Sequence, residues 1–206
     1  MKFDFDFSNE VSLITGAGRG IGLAISQELA DLGSTVALMA RSSEELQIAA
    51  NEINSNGGKA HVFSCDVSDL DSVKQNVKEI ENGLGPIKYL VNNAGVTGAA
   101  GRDWEVDPIR WWKTMEINVK GAFNCTQAVL PEFLKHKIGS VVNISSIYTD
   151  SKPPNKMTGY VMSKSALAAF TKSLAVEYGP HGIRFNLVSP GMTDTELISD
   201  IPQKTR

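Results

Sequence analysis

An α/β fold, a single parallel sheet wound with helices on both faces, is predicted by three features of the chain. Short apolar runs alternate with segments of helical spacing from Val11 onward. A glycine-rich turn, Thr15-Gly16-Ala17-Gly18-Arg19-Gly20-Ile21-Gly22, separates the first apolar run from the first helical one. The 206 residues, 42% apolar and 21% charged, suffice for one domain, 1–206, with a sizeable core.

The first strand is expected at Val11–Ile14, a run short enough to be buried between neighbours. The turn follows, and helical spacing then covers 21–32. Thr35–Met39 is the second strand and 43–56 the second helix, stopped by Gly57-Gly58. Ala60–Cys65 is the third strand, and 69–82 the third helix, ending before Gly83-Leu84-Gly85-Pro86. Tyr89–Asn92 is the fourth strand, followed by one long helix over 107–136. Ser140–Ile144, a helix over 158–178 and Ile183–Val188 complete the series. Right-handed crossovers turn this order into a doubly wound, Rossmann-type sheet. Neither repeats nor a linker break it.

A net charge of -3 argues against a nucleic-acid partner, which would call for a basic face. No apolar run approaches about 18 residues, so no membrane span is expected. The start, Met1 to Asp6, is acidic and alternating, unlike a signal peptide. Cys65 and Cys125 read as small buried apolar residues in a reducing, cytoplasmic setting. His61, His136 and His181 lack metal-ligand spacing, and no metal is expected. Trp104, Trp111 and Trp112 are expected to pack around the start of the long helix.

Five stretches carry chemistry. The glycine turn, at a strand-to-helix junction, lets backbone approach a pyrophosphate and aims the helix N-terminus at it. Asn92-Asn93-Ala94-Gly95 leaves the fourth strand at its carboxyl end, where ligands bind in such sheets. Asn143-Ile144-Ser145-Ser146 leaves the fifth strand and offers a hydroxyl. Ser189-Pro190-Gly191-Met192-Thr193-Asp194-Thr195 leaves the sixth. Tyr160 and Lys164, four apart on a helix, share a face. A tyrosine ordinarily titrates near 10, too high for proton exchange at neutral pH. An ammonium about 4 Å away, worth roughly 4 kcal/mol at an effective dielectric near 20, would bring the phenol down.

Taken in order, T-G-x-x-x-G-x-G, N-N-A-G, Asn118, N-I-S-S, Y-x-x-x-K and P-G-x-x-x-T resemble the compact, one-domain branch of the short-chain dehydrogenase/reductase family. The resemblance runs from about Asn9 to Thr195. It implies an oxidoreductase that moves hydride between a nicotinamide and an alcohol or carbonyl carbon. It implies Tyr160 as general acid/base and Lys164 as the residue that holds the ribose hydroxyls and depresses the tyrosine. Ser146, the second serine of its motif, would bond the carbonyl oxygen, and Asn118 would support a water relay to the lysine. The interval from Ser146 to Tyr160 is one residue longer than in many relatives, so an extra residue is expected within 147–159.

The cofactor set implied comprises Gly16, Gly18, Arg19, Gly20, Ile21 and Gly22 at the turn, and Asn93, Ala94 and Gly95 beyond the fourth strand. Asp66 would contact adenine, with Val67 beside it. Pro190, Gly191, Thr193 and Thr195 would lie near the nicotinamide, and Tyr160 and Lys164 also touch the cofactor. NAD-selective dinucleotide folds usually carry an acidic residue at the end of the second strand. Here Ala40 stands there and Arg41 follows, with Arg19 inside the turn. Two guanidiniums could clamp a 2′-phosphate, so NADP(H) is the expected cofactor. Val96, Thr97, Tyr148, Met157 and Met192 are the expected substrate lining.

The chain ends at Arg206, soon after Pro190-Gly191. Relatives go on to a substrate lid, a further helix and a seventh strand, so the C-terminal part of the family fold is expected to be missing. That would leave Ile183–Val188 at a sheet edge, an association hazard. Besides the enzyme, a nucleotide-binding regulatory or scaffold protein of the same fold without useful turnover fits the motifs. The family implies a homodimer or homotetramer; pairing through 107–136 and 158–178 would not need the seventh strand.

Overall fold

The computed structural model describes residues 5–194. Six strands form one parallel sheet in the order β3-β2-β1-β4-β5-β6. They are β1 (Val11–Thr15), β2 (Thr35–Ala40), β3 (Lys59–Ser64), β4 (Ile87–Asn92), β5 (Gly139–Ile144) and β6 (Ile183–Val188). The strand order reverses between β1 and β4, which pair as Leu13 with Leu90 and Ile14 with Val91. A crevice therefore opens at their carboxyl ends. The expected doubly wound sheet is the observed one. β4 starts earlier than expected because buried Ile87 pairs with Val11 across a register shift.

Alternation along the strands divides the core into two layers. Ile14, Val36, Leu38 and Val91 face α1 (Gly20–Asp31) and α2 (Ser43–Ser55), which contribute Ala30, Leu46, Ala49, Ala50 and Ile53. Leu13, Met39, Leu90, Val141 and Phe185 face α3 (Leu70–Leu84), α5 (Gly121–His136) and α6 (Thr158–Tyr178), with Phe133 among the largest enclosed side chains. Strands buried on both faces explain why the sequence shows apolar runs rather than alternation. Cys65 and Cys125 are buried free thiols, and the three histidines are exposed. No helix among the described residues is long and apolar enough to cross a membrane.

The single helix expected over 107–136 is two. α4 (Pro108–Met115) ends in a π-type turn, Glu116–Lys120, before α5 begins. Ile117 and Asn118 in this turn are both buried, and just after it Gly121 lies so close to Val67 that a Cβ would stand 2.6 Å from its Cγ2. The tryptophans also depart from expectation. Trp104 and Trp112 are 79% and 59% exposed; Trp111 packs its indole against Gly159, and the Trp112 ring meets it edge-on at 5.1 Å between centroids. β6 is the outer strand of the described sheet; Ile183 and Phe185 are nonetheless buried, and Phe185 meets the Tyr178 ring at 5.9 Å between centroids.

Phe133→Ala is expected to cost about 3–5 kcal/mol, read from the urea midpoint with the far-UV spectrum unchanged.

Candidate active site

The crevice holds a cavity of about 530 Å³, floored by the glycine turn and walled by Arg41, Asp66, Val67 and Asn93 to Val96. Hydrogen bonding fixes the floor. Thr15 Oγ1 accepts the N–H groups of Asn93 and Ala94, both at 3.0 Å, while Asn93 Nδ2 donates to the Thr15 and Gly16 carbonyls at 3.0 and 3.1 Å. Gly16 has φ +64°, and a Cβ there would lie 2.9 Å from the Ala94 Cα; one on Gly22 would collide with the Gly16 carbonyl oxygen. Gly22 is accordingly buried behind the turn, so it permits the cavity without lining it.

Among the described α-helices, Ser42 caps α2, Asp69 caps α3 and Asp107 caps α4 through their side chains. α1 has none, and its Arg19, Gly20 and Ile21 line the cavity. A helix end without a side-chain acceptor, behind a floor that includes Gly16, Gly18 and Gly20, fits a pyrophosphate. Asp66 Oδ1 accepts from Ser68 N and Oγ at 2.9 and 2.7 Å. Burial opposes its ionisation, but the Ser68 bonds and the Lys113 and Arg41 charges hold it below the usual carboxylate range. Cys65, Ser42, Glu45 and Ile117 also line the cavity, and sequence reasoning missed them in that role. For Ser42 and Glu45 a signal exists: Ser-x-x-Glu opening α2 marks the helix start that packs beside the turn.

Ser146, Tyr160, Lys164 and Asn118 gather beyond Gly95, past the cavity lining. A Cβ on Gly95 would stand 3.3 Å from Asn118 Oδ1 and 3.4 Å from Lys164 Nζ. Asn118, at the π-type turn, accepts from Val96 N at 2.8 Å and donates to Val96 O at 2.9 Å and Ser163 Oγ at 2.8 Å. The two serines after β5 diverge. Ser145 Oγ donates to the Lys164 carbonyl at 3.2 Å, whereas Ser146 hydrogen-bonds Tyr160 and caps a short turn through the Tyr148 N–H at 3.3 Å. Pro190 O accepts the Ile147 N–H at 2.9 Å, which brings the segment after β6, with Gly191, alongside Ser146. Thr193 is exposed, its Oγ1 donating to Gly191 O at 3.3 Å. Thr195 lies outside the described residues.

The expected electrostatics of the Tyr160–Lys164 pair need correction. Lys164 is buried, donates to the Ile144 carbonyl at 2.7 Å, and stands 5.9 Å from the Tyr160 ring centroid. Burial pulls the ammonium down to about 8 from its ordinary 10.5. Tyr160 is pushed up, because burial outweighs its bond with Ser146. The lysine donates to the Ile144 carbonyl, so it does not hold the tyrosine low in this arrangement.

Comparison with known proteins places the chain in a family. The short chain dehydrogenase family model matches residues 10–206, and the chain belongs to that family. It is 34% identical over 197 residues to a short chain dehydrogenase of Pseudocercospora fijiensis, a match covering 95% of this chain; the chain spans 63% of that relative's length. Among solved structures it resembles a metagenomic short-chain oxidoreductase in complex with NADP (34% identity, TM-score 0.86, 93% of this chain and 85% of that one). It equally resembles an NAD+-bound xylitol dehydrogenase (34% identity, TM-score 0.86, 90% and 71%).

The buried ammonium sets a pH dependence. Its proton is held less tightly in the folded chain than in the unfolded one, so its penalty is full below about pH 8 and fades as pH rises toward 10.5. Lys164→Met should therefore be more stable than wild type at pH 7, on the order of 3 kcal/mol before the lost Ile144 bond is subtracted. The gap should shrink between pH 8 and 10.5 in paired urea titrations.

Proposed function

We propose that the protein is an oxidoreductase transferring hydride between NADP(H) and an alcohol or carbonyl substrate. The convergence of Ser146, Tyr160, Lys164 and Asn118 beyond a glycine-floored dinucleotide cavity carries this reading. When bound, the nicotinamide supplies or accepts the hydride. Ser146 holds the substrate oxygen, and Tyr160, already bonded to Ser146, gives it a proton in the reductive direction. Lys164, whose Nζ stands 3.4 Å from the point a Cβ on Gly95 would occupy, would hold the ribose hydroxyls of the bound cofactor. Asn118, bonded to both Val96 and Ser163, keeps the turn that would start a proton relay toward the lysine. Val96, Tyr148, Met157 and Met192 supply a mostly apolar approach for the substrate.

The preference for NADP(H) is supported by charge. β2 ends at Ala40, which offers the ribose no carboxylate, and Arg41 and Arg19 both line the cavity. Guanidiniums there would take a 2′-phosphate through charge-assisted bonds. Exposed Ile109 and Trp112 on α4, Phe123 on α5 and Met162 on α6 support pairing of two copies through these helices. Unpaired buried thiols suit a cytoplasmic setting.

NADPH absorbance followed with a panel of carbonyl compounds should show turnover, faster with NADPH than with NADH. Tyr160→Phe should lower kcat by about 10²–10⁴-fold while NADPH still binds. Tight NADPH binding without turnover in the wild type would instead indicate a regulatory or scaffold protein. Sedimentation velocity should give a dimer or tetramer, and monomer alone would count against the helix pairing.

A further inference from the structure

Between the glycine turn and the first turn of α2, the cavity wall carries a charge of the wrong sign for a phosphate. Glu45 is fixed there by the helix cap, because Ser42 Oγ accepts the Glu45 N–H at 3.2 Å. In a Ser-x-x-Glu start the glutamate ordinarily reaches back to the N–H of the capping serine. Here the carboxylate extends to the neighbouring element. Its Oε1 lies 3.6 Å from Arg19 Nη1, and its Oε2 lies 3.3 Å from the point a Cβ on Gly18 would occupy. The two side chains are 44% and 59% exposed, and with Arg41 and Ser42 they form one continuous stretch of the lining.

This placement acts differently on the two dinucleotides. A phosphate monoester carries about -1.5 to -2 at neutral pH and presents three acceptor oxygens. To use Arg19 it must share the guanidinium with Glu45, and it meets the Glu45 charge directly. A 2′-hydroxyl is neutral and feels little of either effect. We propose that Glu45 is a specificity-determining residue, a counter-charge that competes with the 2′-phosphate for Arg19 and narrows the discrimination between NADP(H) and NAD(H). The proposal rests on the reading that Arg19 and Arg41 receive the 2′-phosphate. It adds that the site as built stops short of the selectivity its two arginines could give.

The test is a set of dissociation constants for NADPH and NADH, measured by nicotinamide fluorescence on wild type, Glu45→Gln, Arg19→Gln and the double variant, with circular dichroism confirming the fold. Glutamine keeps the backbone N–H that Ser42 accepts, so the cap persists. Glu45→Gln should tighten NADPH about two- to fivefold, in line with a partly exposed charge pair, and leave NADH unchanged. The gain should be smaller in the Arg19→Gln background, where only direct repulsion is relieved. An unchanged or weaker NADPH affinity, or an equal change for both dinucleotides, overturns the role of Glu45. A wild-type preference for NADH overturns the parent reading instead, and the proposal falls with it only if Glu45→Gln also fails to shift the NADPH-to-NADH ratio.

Discussion

The hydrogen-bonded knot between Thr15 and Asn93 is the constraint on which the site depends. These residues end β1 and follow β4, the two strands between which the sheet reverses its order. One hydroxyl accepts two successive N–H groups, and one amide donates to two successive carbonyls. Four polar groups that strand pairing no longer serves are thereby satisfied without water. The turn after β1 is pinned to the loop after β4, so glycine floor and cavity wall move as a unit. Closely stacked backbone also explains why the floor tolerates no Cβ at Gly16 or Gly22.

A second network extends this order toward the cluster of Ser146, Tyr160 and Lys164. Asn92 donates to Asn143 at 2.9 Å and to Thr126 at 3.2 Å, and Asn143 donates to Thr171 at 2.8 Å. β4, β5, α5 and α6 are thus joined through buried amides and hydroxyls. Such contacts fix direction as well as distance, which apolar packing alone does not. Lys164 lies two helical turns before Thr171, and the Ile144 carbonyl that receives its ammonium immediately follows Asn143. The same network therefore sets both ends of that bond.

The fold was legible because burial on both sheet faces leaves a simple trace: short apolar runs separated by helical spacing. Stop signals such as Gly57-Gly58 and Gly85 sharpened it. The break at Glu116–Lys120 was not legible, since helical spacing holds within each segment on either side of it. Within the site, spacing alone placed Tyr160 and Lys164 on a common face. It could not show that the ammonium turns to a main-chain carbonyl, because that acceptor depends on where β5 ends. Glu45 escaped notice for a related reason: its pattern describes a helix start equally well whether the carboxylate folds back or reaches out.

The π-type turn has a geometric consequence for the helices it joins. Each residue of an α-helix advances the side-chain direction by about 100°. A residue accommodated within the turn therefore resets the rotational phase between α4 and α5. The inward stripe of α5, formed by Cys125, Val129 and Phe133, need not continue the stripe that α4 would project. α4 can thus turn Ile109 and Trp112 outward while α5 keeps its own alignment on the sheet. The turn works as a phase coupling: surface chemistry on one side of it can drift through substitution while the packing on the other side stays in register.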